Sequence, residues 1–143
     1  RAGRERRHFE IWGGGFIATG PDDAAVAAQL EEIRYRVAFY GSTRSYRGVL
    51  SVHGWDELGD ALYRLSKQGR WDEMAAAVPD EVVHAFAAVG RWDELPARIA
   101  ERFGGLVDHV TLSLPGSADP ERVHELLVAL RRIPVPFSGH GRP

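Results

Sequence analysis

The apolar residues of this chain recur at two different periods. From Asp22 to Tyr40, the residues Val26, Leu30, Ile33, Val37 and Tyr40 follow one another at helical spacing and form one stripe. Pro21, Asp22 and Asp23 suit the first turn of that helix. Its dipole favours acids there, and proline's missing N–H costs nothing. Gly41 is expected to end it. The same period predicts short helices over Trp55–Lys67, Trp71–Val78 and Pro79–Ala88, the first with Trp55, Leu58, Leu62 and Leu65 inward. Asp93–Phe103 follows, with Leu95, Ile99 and Phe103 on one side and Gly104-Gly105 as its stop. A last helix is predicted over Asp119–Ile133. Asp119 caps it, Pro120 takes its first position, and Val123, Leu126, Leu127 and Leu130 face inward. Pro134-Val135-Pro136 ends it, and residues 134–143 read as a flexible tail.

Strand signals occur twice. Phe9–Thr19 is aromatic and β-branched at both ends and bounded by Gly20-Pro21, with Gly13–Gly15 inside it marking a bulge or a close backbone approach. Asp108–Leu114 alternates, with Val110, Leu112 and Leu114 on one face and Thr111 and Ser113 on the other. Between the two strands lies a run of short helices. Strand, helix, helical insertion, helix, strand, helix is the rhythm of a parallel α/β sheet. Two parallel strands alone leave edges unpaired and apolar faces uncovered. Residues 1–133 are therefore expected to be a portion of a larger α/β domain, and a start at Arg1 rather than methionine fits a partial chain.

Composition narrows the chemistry. The 143 residues are 44% hydrophobic and 27% charged, a globular balance. A formal charge of −2 supplies no field for nucleic acid or an anionic membrane, so neither is expected as a partner. The basic start, RAGRERRH, has no aromatic interleaving and reads as a connection. No apolar run reaches the ~20 residues of a membrane span. With no cysteine, disulfides, thiolate chemistry and cysteine-based zinc sites are excluded, which fits a cytoplasmic protein. Of 18 Lys and Arg residues, only Lys67 is a lysine. The six histidines show no H-x-H or H-E-x-x-H spacing, so no metal is expected.

Three segments, HGWDEL, GRWDEM and GRWDEL, begin at 53, 69 and 90. Their unequal spacing argues for a recurring helix start, with acids in the first turn, over a helical repeat that would make the chain a non-catalytic interaction module. Gly13–Gly15 runs on into a strand rather than a helix N-terminus, so it does not read as a phosphate loop. The polar stretch Gly41–Gly48 (GSTRSYRG) carries most of the candidate chemistry. Ser42, Thr43, Tyr46 and Arg47 offer two hydroxyls, a phenol and a guanidinium, enough to hold a polar or anionic ligand. His53, close behind beside Trp55, is a further candidate contact. No catalytic triad, nucleophile elbow or carboxylate dyad appears.

The stretches VAFYGSTRSYRGVLSVHGW (37–55) and AERFGGLVDHVTLSLP (100–115) resemble the C-terminal half of the luciferase-like superfamily, and above all its oxidoreductases that use coenzyme F420, a deazaflavin. The resemblance runs over roughly residues 5–132. It implies the C-terminal part of a (β/α)8 TIM barrel, with Phe9–Thr19 and Asp108–Leu114 as late strands and a missing N-terminal half as the partner that carries most cofactor contacts. It implies hydride transfer between deazaflavin and a small-molecule substrate. Ser42, Thr43, Tyr46, Arg47 and His53 would lie beside the cofactor and substrate pocket, and Ser113 would point into the barrel lumen. An FMN-dependent monooxygenase of the same superfamily is the alternative. Two departures stand out: Arg44 where the family commonly has proline, and Arg91-Trp92 where it has a small residue and proline.

Overall fold

The structure, a computed structural model, describes residues 5–114 and 118–139. Its regular elements are β1 (Phe16–Gly20), α1 (Asp23–Gly41), α2 (Arg47–Ser51), α3 (Asp56–Lys67), α4 (Trp71–Ala76), α5 (Asp80–Phe86), β2 (Ala87–Arg91), α6 (Leu95–Phe103) and α7 (Pro120–Leu130). The two strands pair side by side in a parallel sheet, extended by the Trp92 N–H donating to the Gly20 carbonyl at 3.0 Å. A parallel pair needs a long crossover, and α1 to α5 supply it.

The chain divides into two compact units. One is Ala27–Ala87; the other joins the segments up to Val26 and from Ala88 onward. The first holds most of α1 together with the run of short helices, with Ile33, Val37, Leu50, Leu62, Met74, Val78, Val82 and Val83 buried. In the other unit Ala88, Trp92, Leu95, Ile99, Phe103 and Leu126 form a core, covered by Ile17, Val107, Val110, Leu112, Leu114, Leu130 and Ile133.

Local rules explain most of the boundaries. Asp22 caps α1, its Oδ1 accepting from the Ala25 N–H at 2.8 Å. Asp119 caps α7 through the Glu121 N–H at 3.1 Å, with Pro120 at the helix start. Gly104 and Gly105 stop α6, the second at φ +74°, a conformation that favours glycine.

Several expectations are corrected. Phe9–Thr19 is not one strand: only Phe16–Gly20 is, while Trp12 makes an isolated parallel bridge to His109. The glycines between them pass close over side chains. A Cβ on Gly13 or Gly14 would stand 3.5 Å from the Cγ1 of Val107 or Val110. Asp108–Leu114 is not a strand either. Its side chains alternate between half-buried and exposed as expected, but beyond His109 no ladder partner lies beside it among the described residues. The second strand is instead β2, within a stretch where helix and connection were expected. Its sequence, AAVGR, has little strand propensity, and pairing with β1 decides its conformation. Gly41 lies within α1, so α1 does not need it as a left-handed stop. Its role is close approach: a Cβ there would be 2.9 Å from the Leu62 Cδ1 and 3.3 Å from the Leu50 Cδ1. Tyr40 and Leu127, placed on buried stripes, are exposed. Within the stretch expected as a tail, the Phe137 N–H donates to Asp108 Oδ1 and the Ser138 N–H to the Arg7 carbonyl, each at 2.9 Å. The two-strand sheet with its helices is a mixed α/β arrangement.

Candidate functional site

Five of the six residues singled out in the sequence fall in the Ala27–Ala87 unit, where α1 hands over to α2 and α3. Ser42 is buried at the end of α1. Its hydroxyl donates to the Phe39 carbonyl at 2.8 Å, and Thr43 Oγ1 donates to the same carbonyl at 3.3 Å. The last carbonyls of a helix lack intrahelical partners, so both hydroxyls finish α1. Residues Arg44–Tyr46 make one 3₁₀ turn and lead into α2.

Arg47, the first residue of α2, turns toward α3. Its Nη1 donates to the Asp60 carboxylate and its Nη2 to the Asp56 carbonyl at 3.4 Å. The hydrogen bond with Asp60 raises the arginine pKa and holds the Asp60 carboxyl below its ordinary range. Arg47 therefore braces the α2–α3 corner, and its fork is occupied. Ser51 completes that corner by donating to Asp56 Oδ1 at 2.5 Å.

What the loop offers outward is aromatic. Tyr46 meets Tyr40 edge-on at 5.4 Å, Tyr40 meets Phe39 at 5.8 Å, and Phe39 lies 6.4 Å from Trp71. All four are 40% exposed or more. His53 stacks on Trp55 at 4.5 Å with 17° between the rings, and Phe86 stands edge-on to both. Gly54, at φ +76°, makes the tight turn that lets residues 53 and 55 stack.

Ser113 belongs to the other unit, exposed and outside any strand. In that unit Trp12, 71% exposed, stacks on His109 at 4.2 Å, and Glu10 lies 3.4 Å from both the Trp12 Nε1 and the His109 Nε2. Asp108 beside it is an anchor. Its carboxylate accepts from Arg6 at 2.8 Å and from the Ile11 and Phe137 N–H groups at 2.8 and 2.9 Å. Burial pushes its pKa up, but the two backbone donors and the guanidinium outweigh burial and hold it below the usual carboxylate range. Sequence reasoning did not reach Asp60 or Phe86. Asp56 and Asp60 lie four apart on one face of α3, and that spacing was the available signal. Among the described residues no group of three or more His, Asp or Glu side chains is placed to hold a metal ion. No described helix is long and apolar enough to cross a membrane.

The three Trp-Asp-Glu segments differ in setting. Asp56-Glu57 opens α3, Trp71 is the first residue of α4, and Trp92-Asp93-Glu94 is a turn ahead of α6. Trp71 is 40% exposed and Trp92 only 6%, so they are not equivalent positions of a repeat.

Comparison with known proteins adds the family. Relatives described as uncharacterized proteins, one from Mycobacterium bovis and two from strains of Mycobacterium tuberculosis, are each 42% identical over 132 residues. The match takes in 92% of this chain but 38% of each relative, so the chain spans well under half their length. No solved structure matches it. The profile of the luciferase-like monooxygenases matches residues 1–109, and the chain belongs to that family.

Proposed function

We propose that this chain is the C-terminal part of a luciferase-like oxidoreductase that uses coenzyme F420 to transfer hydride to or from a small molecule. The family match over residues 1–109 carries the oxidoreductase reading, and the likeness of 37–55 to deazaflavin enzymes carries the choice of cofactor. When bound, a deazaflavin supplies the hydride chemistry at a ring carbon, and the protein supplies binding, orientation and exclusion of water.

The residues present fit such a ring in part. The exposed rings of Tyr40 and Tyr46, and the His53–Trp55–Phe86 stack, offer apolar faces against which a planar heterocycle packs. Ser42, Thr43 and Arg47 do not fit a polar grip on it. Their donors are engaged by the Phe39 carbonyl and by Asp60, and freeing them costs those bonds. In this reading the three shape the loop, while Tyr46 and His53 face the ligand. The remaining contacts fall to the N-terminal half of the barrel, and the isolated chain binds cofactor weakly or not at all. An FMN-dependent monooxygenase is the second reading, and its monooxygenase part agrees with the family's description.

Equilibrium dialysis of the longer protein that carries this chain, against F420 and against FMN, separates the two. Retention of F420 alone supports the first reading, and retention of FMN alone replaces it with the second. Retention of neither removes both.

A further inference from the structure

Beside the loop that the sequence marked for an anion, positive charge gathers on residues other than the one expected. Arg44, in the 3₁₀ turn, places its guanidinium carbon 4.6 Å from the centre of the Tyr63 ring. Lys67, one helical turn beyond Tyr63 on α3, places its Nζ 5.3 Å from the same ring. Arg64 follows Tyr63 in α3, and Asp60 lies one turn back from it. Among the described residues Arg44, Arg64 and Lys67 form no ion pair, and the Asp60 carboxylate is already bonded to Arg47. Arg44, Arg47 and Arg64 all act electrostatically on that one carboxylate.

Two cations on one ring, with no carboxylate of their own, lie within about one Debye length of each other, ~10 Å at 0.1 M salt, and so repel. Each gains a cation–π contact, a partial offset. The carbonyl end of α3 explains why Arg64 and Lys67 suit their positions. It does not explain Arg44, which arrives from a different element and has Tyr63 as its partner. A compact anion between these cations removes the repulsion and gives their N–H groups acceptors.

We infer that Arg44 and Lys67, both placed over the Tyr63 ring, form a binding site for the phosphate group of a small ligand. A long polyanion is a poor match, because the chain as a whole carries a charge of −2 and offers no extended basic track. The site goes beyond the redox reading above, and its test needs no flavin. Failure of either leaves the other standing.

The test is calorimetric titration of the longer protein with inorganic pyrophosphate, with sodium chloride holding ionic strength constant. The inference expects one saturable site. Arg44→Ala and Lys67→Ala should each weaken it ~5–10-fold, the scale of one partly screened charge-assisted contact. Lys67→Arg should retain it, and Arg131→Ala, an exposed arginine of the other unit, should leave it unchanged. Arg44→Gln serves if the alanine variant loses its circular-dichroism spectrum. No saturable binding above the chloride background overturns the inference, as does an unchanged affinity in a folded Arg44 variant.

Discussion

Replacing Gly41 by alanine sets two effects of known sign against each other. Gly41 is the last residue of α1 and has an ordinary helical backbone, so alanine there gains up to ~1 kcal/mol of helix propensity. The new methyl would sit 2.9 Å from the Leu62 Cδ1 and 3.3 Å from the Leu50 Cδ1. Those leucines are 0% and 2% exposed, so neither has open space to move into. Overpacking of a filled core costs ~1–3 kcal/mol, more than propensity returns at a helix end. Gly41→Ala should therefore destabilise the protein by ~1–2 kcal/mol, read as a lower urea midpoint with an unchanged slope. A double-mutant cycle isolates the cause. Leu62→Ala alone should cost ~2–5 kcal/mol by leaving a cavity. In that background Gly41→Ala should be neutral or stabilising, because the methyl then fills space that Leu62 vacated. A single variant as stable as the parent would refute the steric argument, as would an equal cost in both backgrounds.

Other outcomes follow from the same geometry. Asp108→Asn should lower the melting temperature at pH 7 and flatten its fall in acid. The Asp108 pKa is depressed on folding, so its contribution is present above the unfolded value of about 3.9 and is lost as pH drops through the folded one. Melting curves from pH 7 to pH 3 check this. Asp119→Ala should cost ~1 kcal/mol by orphaning the Glu121 N–H, with Asp119→Asn close to neutral in the same denaturation assay. Gly105→Ala should cost ~1–2 kcal/mol because φ is +74° in open space, so strain alone acts. In a cofactor-binding assay on the longer protein, His53→Ala should weaken affinity several-fold and Thr43→Ala should leave it unchanged, since Thr43 donates to the Phe39 carbonyl.

The helices were legible because their causes are local. Val26, Ile33 and Val37 form a stripe at helical spacing, Asp22 and Asp119 cap, and Gly104-Gly105 stops; each rule acts within about a turn. The strands were not, because a strand is defined by its neighbour. Ala87–Arg91 has no sequence signal, and Asp108–Leu114 has a good one. Yet the first pairs with β1 and the second has only the bridge at His109 among the described residues. The candidate loop was found by its composition, and its division of labour was hidden for the same reason. Nothing within Gly41–Gly48 says that Arg47 is taken by Asp60, thirteen residues away, while Arg44 lies over the Tyr63 ring.

The sequence by itself determined the family, the α/β character and most helix ends, because short-range backbone and side-chain rules and the motif over 37–55 suffice for these. Only the tertiary structure decided which segments are strands, what Gly41 packs against, and which arginine pairs with Asp60 and which lies over the Tyr63 ring. Each of those depends on atoms brought together from distant parts of the chain, and no local pattern encodes that proximity.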